Sequence, residues 1–289
     1  MSLDARWLFQ SLRPEEFMER YLDREVLLED GRGEGFYAPL FSRRHLAAML
    51  WEQEAQAAEL VYAHVDGHTQ YLPQPFASTP WEWARMQYRR GWPIVINSIS
   101  RFCPTVAALC RDLSSWIDAP VHANAYLAPP DAPGFGAHFD TDDTMFLQVE
   151  GAKHWRLHAP VIELPLLSQL EGVDPRALAP AREIELRAGD LLYVPRGVIH
   201  TPVAGPAGSL HLTLGLHHRL WRDALVDALA DAAERHAALG GRARPDDVEA
   251  CARLLDLFVA DAMDPDGPRR ARERFGRREV PKPAPEDLL

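Results

Sequence analysis

The sequence contains only three cysteines, Cys103, Cys110 and Cys251, and their spacing matches no cysteine-based metal site. An odd, small number of cysteines argues against the disulfide framework typical of small secreted domains. Cys103 and Cys110 lie within a helical pattern, which favours packing on one helix face over a redox pair. We therefore expect a protein of a reducing compartment, namely the cytoplasm.

A secretory leader and long uncharged apolar runs are also missing. Asp4 and Arg6 interrupt the N-terminal stretch before an apolar segment forms, so we expect no secretory signal. No stretch has the length needed to cross a bilayer, so we expect no membrane segment. Acidic residues outnumber basic ones, and the net charge of -11 does not suit direct binding of nucleic acid. The same charge would attract a basic peptide or protein segment.

The composition of the 289 residues is that of a globular protein. The spacing of apolar residues and the residue types typical of helix starts predict N-terminal helices. Residues 61–80, which lie between two of these helices, are expected to be irregular. Alternating patterns with turn residues then predict short strands. The predicted helices cover 14–28, a segment from Ser42, 81–90 and 104–117, and the predicted strands cover 94–96, 121–127, 136–141, 144–150, 153–158, 183–187, 190–194 and 209–217. Many short strands indicate a closed or two-sheet β architecture such as a jelly roll.

The composition changes again near Arg219 and becomes rich in Ala and Leu. Helical spacing predicts helices over 221–238, 246–262 and 267–276, with a mobile tail from Pro281. These helices either cap the barrel or form a homodimer interface, and we favour the homodimer. The predicted organisation is a catalytic domain over 1–219, with a helical N-terminal region, and a helical region over 220–289.

The strongest indication of chemistry is the sequence His138-Phe139-Asp140. Residues two apart on a strand point to the same side, so His138 and Asp140 can bind one metal ion together. His200 follows a Pro-Gly turn after a later strand and completes the set. Two imidazoles and one carboxylate form the facial triad of non-haem Fe(II) oxygenases, which leaves positions open for a co-substrate and O₂. His154, His158, His217 and His218 are competing ligands.

Polar side chains near this motif suggest a lined cavity. In VHANAYL, His122, Asn124 and Tyr126 share one strand face, which either lines a cavity or meets solvent. Lys153 shares a face with the apolar Trp155 and Leu157, which draws it inward. A buried ammonium needs an anion, and the carboxylate of a bound dicarboxylate would provide one. The alternative is a lysine that extends back to solvent.

The strand SLHLTLGLH alternates most regularly, with leucines on one face and polar or small residues on the other. Thr213 lies on the second face and is a further candidate for co-substrate binding. Gly215 lacks a side chain, which would let a ligand approach the strand at this position. His211 either supports the site or is a hydrogen-bonded structural histidine.

With these residues together, the chain resembles the JmjC-type ribosomal oxygenases, also called cupin-4 proteins. The resemblance rests on NAYLAPP, GFGAHFD, FLQVEGAKHWRLH, LLYVPRGVIHTP and SLHLTLG in this order, and on EEFMERYLDREVLL and FYAPLFS upstream. It covers residues 14 to about 220. It implies a double-stranded β-helix of the cupin or JmjC type, with flanking helices.

The resemblance also implies a function. Fe(II) would be bound by His138, Asp140 and His200, and 2-oxoglutarate and O₂ would be co-substrates. Lys153 and Tyr126 would hold the distal carboxylate of 2-oxoglutarate, with Asn124 beside the metal. Known relatives hydroxylate Arg or His side chains of ribosomal proteins, so we expect a protein or peptide substrate.

The chain departs from the family pattern in three places. Gly215 stands where relatives often carry a serine, and Asp142 and Thr144 replace an expected polar and aliphatic pair. Residues 221–276 can supply the dimerisation helices but leave little for a winged helix, so we expect none. A biosynthetic peptide is therefore an alternative to a ribosomal protein as the substrate.

Two other functions fit the same residues. An N-methyl demethylase would use the same hydroxylation and then release formaldehyde. A cupin-type metal-binding or ligand-binding module would bind metal without turning over 2-oxoglutarate. Lys153 and Tyr126 favour the oxygenase over the module.

Overall fold

The structure is a computed structural model with side chains. It describes residues 3–10, 12–52, 59–65, 68–73, 78–169, 173, 178, 181–239, 241 and 248–262. These residues form two units, one ending at His217 and one beginning at His218. Residues 267–276 and the tail from Pro281 lie outside the described part of the chain, so the helix and the mobile tail expected there stay predictions.

The first unit is built around one antiparallel sheet. Its strands are β1 Leu27–Glu29, β2 Val61–Val65, β3 His68–Tyr71, β4 Ile94–Ile96, β5 Val121–Ala128, β6 Asp143–His158, β7 Arg182–Arg187, β8 Leu191–Val194 and β9 Ile199–Leu216. The order across the sheet is β1-β8-β6-β9-β5-β4-β2-β3, and β7 pairs with β6. The long strands β6 and β9 pair with each other over most of their length, so they form the centre of the sheet.

Helices flank this sheet, as the mainly β fold class predicted. They are Ala5–Leu8, Pro14–Glu16 with a π-helical turn Phe17–Tyr21, Arg43–Glu52, Pro80–Arg89, Pro104–Ile117 and short 3₁₀ turns Ile99–Arg101 and Leu167–Gln169. Thr79 caps the helix Pro80–Arg89 through a capping box with Glu82. The apolar face of Pro104–Ile117, including Val106, Leu109 and Leu113, packs in the core with the leucines of β9. Cys103 and Cys110 are free and buried.

Three predictions about local structure were wrong. The helix expected over 14–28 ends at Tyr21, and Leu27–Glu29 pairs with β8 as a strand. Residues 61–80, expected to be irregular, contain β2 and β3. Residues 136–141 form no strand; His138 makes a single bridge to His200. Leu27–Glu29 and β2 each pair with a strand far away in sequence, β3 pairs with β2, and His138 makes only an isolated bridge. Local periodicity does not report whether a segment finds a partner strand.

The second unit contains the helices Trp221–Arg235 and Val248–Ala262, which contact each other. They correspond to the helices predicted over 221–238 and 246–262. Several large apolar side chains on both helices are exposed, with Trp221 at 85 % and Leu225 and Leu255 at 58 %. In the described residues, no helix combines the length and the apolar character needed to cross a membrane.

Candidate active site

The structure brings His138, Asp140 and His200 together, although β6, β7 and β8 separate the first two from the third in sequence. One ligand atom from each residue lies within 4.8 Å of those from the other two. Nε2 of His200 is 3.6 Å from Oδ2 of Asp140. A pair of backbone hydrogen bonds joins His138 to His200: each amide donates to the other residue's carbonyl, at 3.2 and 2.8 Å. The loop that carries His138 and Asp140 is thus fastened to the first residues of β9.

Both histidines are oriented by their own backbone. Nδ1 of His138 lies 2.7 Å from the carbonyl oxygen of Gly136, and Nδ1 of His200 lies 3.1 Å from that of Val198. A carbonyl only accepts, so each Nδ1 donates and each Nε2 carries the lone pair. Desolvation, His138 and Lys153 lower the pKa of His200, which keeps that ring neutral. A neutral imidazole whose Nε2 carries the lone pair has the form that a metal ligand requires.

The competing histidines are engaged differently. His154 is exposed on the outer face of β6 and lies 4.0 Å from Glu185. Nδ1 of His217 lies 2.7 Å from Oδ2 of Asp142. Neither belongs to the group of ligand atoms formed by His138, Asp140 and His200.

The three residues face a cavity of about 370 Å³, a volume within the usual range for small-molecule sites. Three aligned rows of residues on β6, β9 and β5 form its floor. Thr144, Gly215 and His122 form the first row, and Phe146, Thr213 and Asn124 form the second. His211 and Tyr126 form the third row, whose β6 member, Gln148, does not line the cavity. The polar face predicted for VHANAYL therefore lines this cavity.

Lys153 points into the same cavity and is only 4 % exposed. Its inward direction, predicted from Trp155 and Leu157, is confirmed, because those side chains are buried too. The Lys153 ammonium lies 3.5 Å from Nδ1 of His211 and faces the rings of Tyr126 and Trp155. No ion pair found among the described residues includes it. Desolvation lowers the pKa of Lys153 to about 7.

Tyr126 and Asn124 lie on β5 below this lysine. The Tyr126 ring stacks on His211 with 4.8 Å between centroids. Burial, and secondarily Asp140, raise the pKa of Tyr126, so its phenol remains protonated and can donate a hydrogen bond. Oδ1 of Asn124 accepts a hydrogen bond from the Ser98 amide at 2.9 Å, which fixes the orientation of this side chain.

The cavity wall carries buried polar atoms without a hydrogen-bond partner in the described protein. They are Oδ1 of Asn97, Nδ1 of His122, Oγ1 of Thr144, Nε1 of Trp155 and Oγ1 of Thr213. A buried polar atom without a partner costs about 1–3 kcal/mol. Several such atoms around one cavity indicate a site shaped for a polar ligand. Sequence reasoning missed Asn97 and Trp155 as cavity groups, because neither belonged to a recognisable polar face.

Comparison with known proteins agrees with this geometry. Residues 96–224 match the family model of the JmjC domain. This stretch of the chain is therefore similar to a JmjC domain. The matched residues include β5 to β9 and all the cavity residues of the three rows.

Several relatives of this chain are named ribosomal oxygenase 1. It is 30% identical to human ribosomal oxygenase 1 over 274 residues, which are 91% of this chain and 42% of that protein. It is 32% identical to the ribosomal oxygenase 1 of Gallus gallus over 234 residues, covering 78% of this chain and 38% of that protein. This chain thus spans less than half the length of these curated relatives. The resemblance to the JmjC-type ribosomal oxygenases is confirmed.

A solved structure has the same fold. The crystal structure of the Escherichia coli ribosomal oxygenase YcfD superposes with a TM-score of 0.63 at 23% identity, covering 95% of this chain and 74% of that protein. The predicted cupin or JmjC double-stranded β-helix with flanking helices is therefore confirmed.

Proposed function

We propose that this chain is an Fe(II)- and 2-oxoglutarate-dependent oxygenase that hydroxylates an amino-acid side chain of a protein or peptide. The observation that carries the proposal is that His138, Asp140 and His200 converge in a cavity that also holds the buried ammonium of Lys153. The JmjC domain and the ribosomal oxygenase relatives support the same reaction class. YcfD, a structural neighbour, has been solved with cobalt and 2-oxoglutarate.

His138, Asp140 and His200 would hold the metal. Two imidazole nitrogens and one carboxylate suit Fe(II), and three protein ligands leave positions open for a co-substrate and O₂. Bound Fe(II) and 2-oxoglutarate would use O₂ to convert a C–H bond to C–OH, while 2-oxoglutarate becomes succinate and CO₂. The carbonyls of Gly136 and Val198 hold the two imidazoles in the ligating orientation.

Lys153 would bind the distal carboxylate of 2-oxoglutarate. An ammonium buried without an anion is costly, and a carboxylate beside it converts that cost into a charge-assisted contact. Tyr126 can add a phenol hydrogen bond, and Thr213 offers an unpartnered hydroxyl from the middle row of the floor. Asn124, held by Ser98, lies in the same row and would face the metal side.

The proposed substrate is a protein or peptide, either a ribosomal protein or a biosynthetic peptide. The related proteins are named ribosomal oxygenases, and one from Aedes aegypti is named a lysine-specific demethylase and histidyl-hydroxylase. The net charge of -11 favours a basic segment over nucleic acid as the direct partner.

The deciding experiment measures succinate and product mass for purified protein with Fe(II), 2-oxoglutarate, O₂ and a panel of ribosomal proteins. We expect succinate formation to depend on iron and on one panel member, which gains one oxygen. His138→Ala should abolish both signals, whereas the matched control His154→Ala, on an exposed histidine, should retain them. Unchanged turnover in His138→Ala would refute the metal assignment. Formaldehyde release would assign N-methyl demethylation instead, and metal binding without any turnover would assign a binding module.

We also propose a homodimer formed through the helices Trp221–Arg235 and Val248–Ala262. Leu225, Leu229 and Val259 are each more than 40 % exposed, and a monomer rarely exposes so much apolar surface. Sedimentation should give a dimer for the natural protein and a monomer for Leu225→Glu. A monomeric natural protein would contradict the proposal.

A cytoplasmic location is proposed from the cysteines. Cys103 and Cys110 are free thiols in the structure, and burial raises the pKa of Cys110 to about 12, so it stays an unreactive thiol. Cell fractionation with a tagged chain tests the location, and recovery in an oxidising compartment would contradict it.

A further inference from the structure

The glycine at 215 makes room for an imidazole. Gly215 and His122 are cross-strand partners in β9 and β5. A Cβ built on Gly215 would lie 2.1 Å from Cε1 and 2.8 Å from Nδ1 of His122, far closer than atoms can approach. The backbone of Gly215 is not left-handed, so conformation does not require glycine here. The His122 ring therefore occupies the space that a side chain at position 215 would fill.

This ring is held in place from one side. It stacks on His217 with 4.4 Å between centroids and 18° between planes. His217 is itself anchored, because its Nδ1 lies 2.7 Å from a carboxylate oxygen of Asp142. An anchored neighbour restricts the rotation of His122 and preorganises its nitrogens.

The free face of the ring belongs to the cavity. His122 lines the cavity together with Asp142, Thr144 and Gly215. Nδ1 of His122 is buried and makes no hydrogen bond of good geometry in the described protein, although the backbone of Gly215 lies close enough to favour the protonated ring. Desolvation, with a contribution from His217, lowers the pKa of His122 to about 4, so the ring is neutral at neutral pH. A neutral imidazole offers one donor and one acceptor.

The position of His122 separates it from the co-substrate candidates. His122 is in the first row of the floor, whereas Tyr126 and His211, which lie against Lys153, are in the third. Four residues along a strand span roughly 13 Å. A small dicarboxylate held by Lys153 would leave the first row free for another ligand.

We propose that His122 is a specificity-determining residue that replaces the missing side chain at position 215 and hydrogen-bonds the target side chain at the end of the cavity away from Lys153. The inference rests on the proposed oxygenase function. It assigns a role to two departures from the family pattern, since Gly215 admits the ring and Asp142 anchors it through His217.

The test uses the full chain with Fe(II), 2-oxoglutarate and O₂, and a peptide library in which the central residue is each of the common amino acids. Product mass gives the selected residue, and initial rates give KM for the peptide and for 2-oxoglutarate separately. The variants are His122→Ala, Gly215→Ser and the double variant, with His154→Ala as the control. Thermal melting of each variant verifies folding.

We expect His122→Ala to raise the peptide KM about tenfold, the loss of one hydrogen bond to a buried partner, and to weaken selection at the central residue. The KM for 2-oxoglutarate should change much less. Gly215→Ser should displace the ring, give the same change in selection and lower the melting temperature. His122→Ala in the Gly215→Ser background should recover that melting temperature, because the serine then has space.

Three results would overturn the inference. If folded His122→Ala keeps the peptide selection and the peptide KM of the natural protein, the ring has only a structural role. If the KM for 2-oxoglutarate rises as much as the peptide KM, His122 belongs to the co-substrate site instead. In both cases the natural enzyme still turns over peptide and the proposed function stands. Absence of any succinate formation by the natural protein would instead refute the oxygenase itself.

Discussion

The ammonium of Lys153 lies 3.5 Å from Nδ1 of His211, whose ring in turn stacks on Tyr126. Desolvation and the charge of Lys153 lower the pKa of His211, so this ring is neutral and can accept a hydrogen bond from the ammonium. A neutral imidazole does not balance the charge of a buried lysine. The pair is therefore the part of the cavity that gains most from a bound anion.

Lys153→Met should stabilise the protein and prevent co-substrate binding. The unfolded chain holds the lysine proton with a pKa of about 10.4, whereas the folded chain lowers it to about 7. Protonation of Lys153 thus favours the unfolded chain. The loss of folding stability grows as the pH falls from about 10 to about 7 and stays constant at lower pH. At neutral pH, Lys153→Met should therefore raise the free energy of unfolding by on the order of a few kcal/mol. The melting temperature should rise by roughly 5 °C.

Calorimetric titration with 2-oxoglutarate and scanning calorimetry measure the two effects. Arg156→Met is the matched control, because Arg156 lies on the same strand with its side chain 66% exposed. It should alter neither quantity appreciably. A Lys153→Met protein that melts lower, or that binds 2-oxoglutarate normally, would contradict the anion site.

The affinity for 2-oxoglutarate should depend on pH. Only the protonated amine attracts the carboxylate, and the amine of the free protein loses its proton as the pH rises through about 7. Above that pH, binding must take up a proton, so the affinity should fall about tenfold for each further pH unit. Titrations in buffers of different ionisation enthalpy measure this uptake directly. Lys153→Arg, which stays charged, should bind more weakly and with a flat pH dependence; a flat dependence in the natural protein would contradict the lowered pKa.

Metal and co-substrate should raise the melting temperature. A ligand that binds only the folded chain stabilises it by about 2.7 kcal/mol at a concentration one hundred times its Kd. Anaerobic Fe(II), or Mn(II) as a stand-in, should therefore shift the melting curve, and EDTA should reverse the shift. His200→Ala removes one of the three ligand atoms and should lose most of the response, whereas His154→Ala should keep it. An equal shift in His200→Ala would place the metal elsewhere.

Gly151→Ala should destabilise the fold severely. Gly151 has a φ of +69° beside a bulge in β6, and a Cβ there would lie 2.1 Å from the carbonyl oxygen of Gly208. Relief requires β6 and β9 to separate, so a loss of about 3 kcal/mol or more is expected. Because the same bulge precedes Lys153, binding of 2-oxoglutarate should weaken as well. Denaturant unfolding measures the loss, and Gly136→Ala, at a glycine with open space around it, should unfold almost as the natural chain does.

Much of the site could be predicted from local patterns. The alternation of Lys153, Trp155 and Leu157 predicted an inward lysine, because neighbouring side chains on a strand face opposite sides and the two apolar ones require burial. The polar face of β5 was predicted for the same reason. The order of the motifs around His138, Asp140 and His200 was sufficient to predict the resemblance to JmjC-type proteins and the fold.

Other features of the fold could not be predicted from the residues adjacent in sequence. Leu27–Glu29 continued a helical pattern, yet it pairs with β8, and 136–141 alternates like a strand but is held by one bridge to His200. Residues 61–80 contain too many turn residues to suggest the hairpin of β2 and β3. Each outcome depends on an available partner strand, and a single segment carries no information about that partner.

The amino-acid sequence alone determined which side chains face the cavity within each strand, since a period of two is a property of the extended backbone itself. Only the tertiary structure decided which of those side chains meet across strands. Register between β5 and β9 sets the His122 ring over Gly215, and register between β6 and β9 completes the row with Thr144. Those contacts arise from pairing between residues far apart in the chain, so they exist only once these strands have paired.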